Sequence, residues 1–155
     1  MKAPVIGYRI SGGDVLNILK IITKKNFSKD HSLIRIVKIY QKDESILDEC
    51  SVVYFKSPKS FTGEDVCEIF LHGSPLIASQ FEQLLKDLKV SGFRLAKKGE
   101  FSYRSVLNSK NSLKQAKAIN EIISNESFSG LEYNKRLLFD GDIVEISGIS
   151  SNNYK

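Results

Sequence analysis

The sequence predicts an α+β fold, a mixed sheet with packed helices. Three observations point there. Short β-branched runs end in Gly, Pro, Ser and Asp turns. Two longer stretches carry apolar residues at helical spacing. The two kinds of element are mixed along the chain rather than strictly alternating. With 155 residues, one domain with its own core is expected.

The elements follow in order. Pro4 to Ser11 (PVIGYRIS) reads as a strand ending at Gly12-Gly13. Asp14 to Lys25 reads as a helix, with Val15, Ile18, Leu19 and Ile22 on one face and lysines at its end. Leu33 to Tyr40 is a β-branched strand, Lys42 to Ser45 a polar turn, and Ser51 to Phe55 the next strand. Lys56 to Gly63 is too rich in turn residues to be an element. Glu64 to Leu71 fits a buried strand. Ser74 to Val90 is the clearest helix, with Ser74 as cap, Pro75 at its first position and Gly92 as its stop. Phe93 to Ala96 reads as a short strand. Helices are expected over Glu100 to Leu107 and Leu113 to Ser124, the second capped by Ser112. Beyond residue 127 the chain changes character, and Asp140-Gly141 between apolar runs predicts a hairpin over 136–146.

Composition narrows the function. No run of apolar residues is long enough to span a membrane. The start carries no export signal, which points to the cytoplasm. Cys50 and Cys67 form neither a disulfide framework nor a metal signature and read as small core hydrophobes. The net charge of +5 is unevenly spread. Asp43 to Glu68 holds seven acids against two lysines, net −5, while Arg94 to Lys117 holds seven basic residues against Glu100, net +6. The basic stretch suits either a solvated helix face or an anion such as RNA, a phosphate or a polyglutamate tail. No phosphate-binding G-x-x-x-x-G-K-[ST] loop and no G-x-G-x-x-G occurs. With two histidines, no catalytic constellation and no metal site are expected; a Cys-His nucleophile would have to use Cys50 or Cys67, with His72 the leading partner, in or beside apolar strands that disfavour a thiolate.

Three residues sit in more polar detail than a packing core needs. Arg9 interrupts an apolar strand just before a Gly turn. It reads either as a bidentate clamp for an anion or as a snorkelling edge arginine. Glu68 lies inside an apolar run and needs a donor partner. A flat heterocycle with adjacent N–H groups would serve, and so would an ordinary ion pair. Lys110 follows a helix, where it either caps carbonyls or reaches an anionic ligand; the capping reading leads on physics alone.

Read together, Arg9-Ile10-Ser11-Gly12, Ser60 to Val66 (SFTGEDV) with Glu68 and His72-Gly73, and Gly99-Glu100-Phe101 through Leu107-Asn108, Lys110, Leu113, Gln115-Ala116 and Ala118-Ile119 resemble the tRNA-modification GTPase family known as MnmE or TrmE. The resemblance covers about residues 2 to 126. It implies that residues 1–127 form a folate-binding, dimer-forming domain, akin to the folate domain of glycine-cleavage aminomethyltransferases, and that 128–155 is a divergent tail. It implies a reduced folate such as 5-formyltetrahydrofolate as cofactor, with Arg9, Glu68 and Lys110 as its contacts. It also implies a homodimer and a flavoprotein partner, with tRNA engaged only indirectly. The family has a further strand ahead of the segment matching Lys2, whose absence would expose a sheet edge, and a GTPase domain beyond the match. The expectation is therefore a truncated module without a GTP site. Three other readings stand beside it: an interaction protein that no longer binds folate, an independent RNA-binding module, and a one-carbon transfer enzyme acting alone.

Overall fold

A computed structural model describes residues 4–29, 31–124 and 135. The chain divides into two compact units, Met1–Lys110 and Asn111–Lys155. The first holds β1 (Val5–Ser11), α1 (Val15–Thr23), β2 (Ile34–Tyr40), β3 (Ile46–Phe55), β4 (Val66–His72), α2 (Pro75–Asp87) and α3 (Glu100–Leu107). Of the second, α4 (Leu113–Ser124) is the described helix. The hairpin expected over 136–146 lies outside the described residues. The α+β class stands, but the sheet is antiparallel throughout its strands rather than mixed, in the order β1-β4-β3-β2. A single isolated bridge, His31 to Tyr54, is parallel. The reason is the connections: a tight turn joins β2 to β3 and one loop joins β3 to β4, neither long enough for a parallel crossover.

Strand alternation sorts the sheet into two faces. Ile10, Val37, Ile39, Cys50, Val52, Tyr54, Cys67, Ile69 and Leu71 join one core with Val15, Ile18, Leu19 and Ile22 of α1 and Phe81, Leu84 and Leu85 of α2. The face predicted for α1 is thus the buried one. Phe81 is fully buried, with its ring centroid 4.9 Å from that of Tyr8. Burying a side chain of that size contributes about 1.5–3 kcal/mol. The opposite face carries Gly7 and Arg9, Glu68 and Phe70, Ser51 and Val53, and Ile34 and Ile36, in cross-strand register. Both helices of the core lie on the other side of the sheet. β1 is an edge strand: Gly73 donates to the Pro4 carbonyl and Gly12 to that of Asp65, each at 2.9 Å. With period two, the backbone groups of Val5, Gly7, Arg9 and Ser11 therefore point away from β4.

Several boundaries differ from expectation. β3 begins at Ile46, five residues before Ser51. Its acidic Asp48 is tolerated because the carboxylate accepts the His72 N–H at 2.9 Å, the His72 ring at 2.7 Å and the Glu49 N–H at 2.8 Å. Ser74 occupies the cap position of α2 but makes no side-chain cap bond. The helix ends at Asp87, and Lys89, with φ 49°, turns the chain before Gly92 is reached. Phe93 to Ala96 forms no strand. Instead Arg94 donates to the Leu95 carbonyl at 3.0 Å and pairs with Glu100. α3 and α4 have the predicted bounds. Ser112 does cap α4: its Oγ accepts from the Gln115 N–H at 3.2 Å, and the Gln115 side chain accepts from the Ser112 N–H at 2.8 Å. That reciprocal pair is a capping box.

Candidate functional site

The register of β1 against β4 places Arg9 directly across from Glu68, on the sheet face away from α1 and α2. Arg9 Nε and Nη2 both donate to Glu68 Oε1, at 2.8 and 2.5 Å. The carboxylate is half-buried rather than fully buried, at 23% side-chain exposure. Its donor partner is the ordinary ion pair. Among the described residues no side chain is bonded to Glu68 Oε2. The Arg9 guanidinium also lies 5.5 Å from the ring centroid of Phe61 and 5.7 Å from that of Phe101.

The loop between β3 and β4 comes next. It turns through a cis Ser57–Pro58 peptide. Ser60 Oγ donates to the Glu64 carbonyl at 2.5 Å, Ser57 Oγ to the Gly63 carbonyl at 2.9 Å, and the Glu64 N–H to Thr62 Oγ1 at 3.3 Å. Thr62 is fully buried. Gly63 has φ +79°, and a Cβ there would stand 2.9 Å from both Asn108 Cβ and Lys110 Cγ. The loop and the end of α3 are therefore in contact with no room between them. Asn108 Nδ2 adds a bond to the Thr62 carbonyl at 2.7 Å.

Lys110 owes its place to how α3 stops. Ser109 is left-handed, with φ 55°. Its N–H reaches the Val106 carbonyl at 3.0 Å and the Lys110 N–H reaches the Ser105 carbonyl at 2.8 Å. This is a Schellman ending. The backbone N–H of Lys110, not its ammonium, does the capping, and the exposed side chain runs over Gly63. Among the described residues the ammonium pairs with no carboxylate.

Behind these groups stands a network that sequence reasoning missed. Glu100 accepts from Arg94 Nη1 and Nη2 at 2.7 Å each, from the Lys97 N–H at 2.7 Å, and from Arg104 Nη2 at 2.8 Å. Arg94, then the Lys97 N–H and Arg104, hold its carboxyl far below the usual carboxylate range. Arg104 Nη1 also meets both oxygens of Glu64, at 3.2 and 3.0 Å. Glu64 Oε2 accepts from Ser11 Oγ at 2.7 Å, and Ser11 Oγ lies 2.7 Å from Thr62 Oγ1. Every side chain of the network but that of Arg94 falls in one of the quoted motifs. The residue types were legible, but which carboxylate meets which guanidinium depends on the fold. On the other flank of Arg9 a cavity of about 480 Å³ opens, floored by Ile10, Val15, Leu85 and Phe93 and edged by Arg94 and Phe101. Glu68 and Lys110 do not line it. The structure thus joins Arg9 to Glu68 and sets the Lys110 stem against Gly63 of the β3–β4 loop.

The cysteines offer no nucleophile. Cys50 and Cys67 are both buried, and burial pushes each thiol up to about 12. His72 turns to Asp48 rather than to either thiol.

Residues 1–110 match the family described as GTP-binding protein TrmE N-terminus. This chain belongs to that family. As a TrmE N-terminal chain it is 45% identical over 131 residues to the tRNA modification GTPase MnmE of Helicobacter pylori (strain HPAG1), covering 84% of this chain and 27% of the relative. It is 42% identical over 120 residues to that of Campylobacter concisus (77% and 26%) and 40% identical over 126 residues to that of Rickettsia bellii (81% and 28%). The chain spans about a quarter of the length of these relatives. Arg9, Glu68 and Lys110 all lie within the matched TrmE segment. No described helix is long and apolar enough to cross a membrane.

Proposed function

We propose that this TrmE N-terminal chain is a cytoplasmic module that binds a reduced folate, 5-formyltetrahydrofolate or a close relative, and forms a homodimer. It would serve tRNA wobble-uridine modification alongside a flavoprotein partner, with tRNA engaged only indirectly. In this reading its fold kinship is with the folate domain of glycine-cleavage aminomethyltransferases.

The observation that carries the folate reading is the state of Glu68. Arg9 occupies one carboxylate oxygen and leaves Oε2 available to accept from the adjacent N–H groups of a pterin. Phe61 and Phe101 supply aromatic surface beside Arg9, and Lys110, whose ammonium pairs with no carboxylate among the described residues, supplies a cation for the anionic end of the ligand. The residues present therefore fit the cofactor. Calorimetric titration with 5-formyltetrahydrofolate tests this, with Lys110→Ala as control. Saturable binding weakened in the variant is expected. A folded chain that binds no folate would leave the interaction-protein reading in its place.

Dimerisation rests on a separate observation. On the sheet face away from α1 and α2, the apolar side chains of Ile34 (72%), Ile36 (66%) and Phe70 (39%) are exposed. Such an exposed apolar face marks an interaction surface, and a second copy packed on it gives a closed two-fold contact. Sedimentation equilibrium of the chain and of an Ile34→Glu, Ile36→Glu double variant tests this. Equal masses for the two would refute the assignment of the face.

A further inference from the structure

We infer that Arg104 is a positioning residue, the bracket that sets Lys110 and Arg9 relative to one another. The inference rests on the folate reading above. Arg104 stands on α3, one turn after Glu100, and its guanidinium spans two carboxylates from different elements. Nη1 takes Glu64 of the β3–β4 loop, while Nη2 and Nε take Glu100 Oε1 at 2.8 and 3.2 Å. Through Glu64 the link continues to Ser11 at the end of β1, two residues beyond Arg9. Through the loop it reaches Gly63, on which the Lys110 stem is seated. α3 itself supplies Phe101, against which the Arg9 guanidinium rests, and ends at the turn that delivers Lys110.

The geometry demands a planar fork. A guanidinium presents five donors in fixed directions and can hold two carboxylates at once, whereas an ammonium is a point charge on a flexible stem. With Glu64 released, the loop keeps its internal bonds and the Asn108 contact at the end of α3, but loses the ion pair that ties it to the middle of that helix. The folate contacts would then stay present and lose their spacing. Supporting partners of that kind, here half-buried, act on affinity by holding the contacting side chains in place.

The test is Arg104→Lys in the full chain, read by two measurements. The first is 5-formyltetrahydrofolate affinity by calorimetry, beside wild type and Lys110→Ala. The second is the ligand-free amide spectrum, watching Gly63 and Lys110 against β2 and β3 as reference. The expected result is an affinity loss of at least about tenfold, the scale on which supporting partners act at ligand sites. Shifted Gly63 and Lys110 amides with unmoved β2 and β3 amides are expected alongside it. A purely structural role would lower the unfolding midpoint and leave both unchanged in the folded chain. Wild-type affinity with unshifted amides in Arg104→Lys, while Lys110→Ala loses binding, overturns the inference. If wild type binds no folate, the functional reading fails, and the ligand-free amide shifts still decide the positioning claim. Should Arg104→Lys not fold, Glu64→Gln keeps an acceptor for Ser11 and removes the ion pair alone. The same two signatures are expected from it, and their absence counts against the bracket.

Discussion

Gly63→Ala is the most direct probe of the contact on which the site is built. Two penalties add there. At φ +79° an L-residue is strained, by about 1–2 kcal/mol. The new methyl would also stand 2.9 Å from Asn108 Cβ and Lys110 Cγ. The lysine stem can swing aside, but Asn108 is held by its bond to the Thr62 carbonyl. Overpacking of this kind adds about 1–3 kcal/mol. Gly92 is the matched control: its φ is +73° and nothing lies within 4 Å of a Cβ there. Gly92→Ala therefore carries the backbone penalty alone, and the reduced entropy of the unfolded chain is common to both variants. The difference between them isolates the clash. With a urea dependence of about 2 kcal/mol per molar, the two midpoints should differ by about 0.5–1.5 M, Gly63→Ala being the lower. The chain has no tryptophan, so far-UV circular dichroism is the readout. Equal midpoints, with equal slopes, would refute the close approach of loop and helix.

Two further outcomes follow from the ionisable groups. Glu100 is held well below its ordinary value of 4.5, chiefly by Arg94, then by the Lys97 N–H and Arg104. A group depressed in the folded state stabilises it above the unfolded value and loses that contribution as pH falls below it. Wild type should therefore exceed Glu100→Gln in urea midpoint near neutrality, and the gap should close as pH drops below 4.5; a gap independent of pH would contradict the network. Cys50 and Cys67, pushed up to about 12 by burial, should react with a thiol reagent near neutral pH only after denaturant is added. Prompt modification of the folded chain would place one of them outside the core.

Local signals account for what was legible in the sequence. α4 announces itself through Ser112 as its cap, and α1 through an apolar face at helical spacing. The first half of β3 was hidden because Asp48 and Glu49 look like turn residues. What makes Asp48 admissible is His72, 24 residues away and visible only once β4 lies beside β3. Phe93 to Ala96 had strand composition but no strand to pair with. The site shows the same divide. Arg9 and Glu68 stand out singly as charges in apolar runs, yet their partnership is a property of register, 59 positions apart in the chain. Lys110 was read as a cap because it follows a helix; the capping is real, but its backbone performs it.

The charge balance of the site leads to a final prediction. Arg9 is paired with Glu68, and Arg94 and Arg104 with Glu100 and Glu64. Those three cations and three anions cancel, so the basic appearance of the segment after Arg94 overstates the field at the site. Among the described residues, Lys110 is the cation of this group left without a carboxylate. If the ligand's anionic end meets Lys110 and its neutral donors meet Glu68, salt should weaken binding through Lys110. Exposed charges are screened within about 8–10 Å at moderate ionic strength. Losing one charged hydrogen bond costs about 1.5–3 kcal/mol, or roughly 10–100-fold in affinity. Lys110→Gln should thus bind 5-formyltetrahydrofolate more weakly at low salt and show little further loss as salt is raised, while wild type weakens toward it. Parallel salt dependence in the two proteins would mean that another cation meets the anion, and Arg94, at the edge of the cavity beside Arg9, would be the next to test.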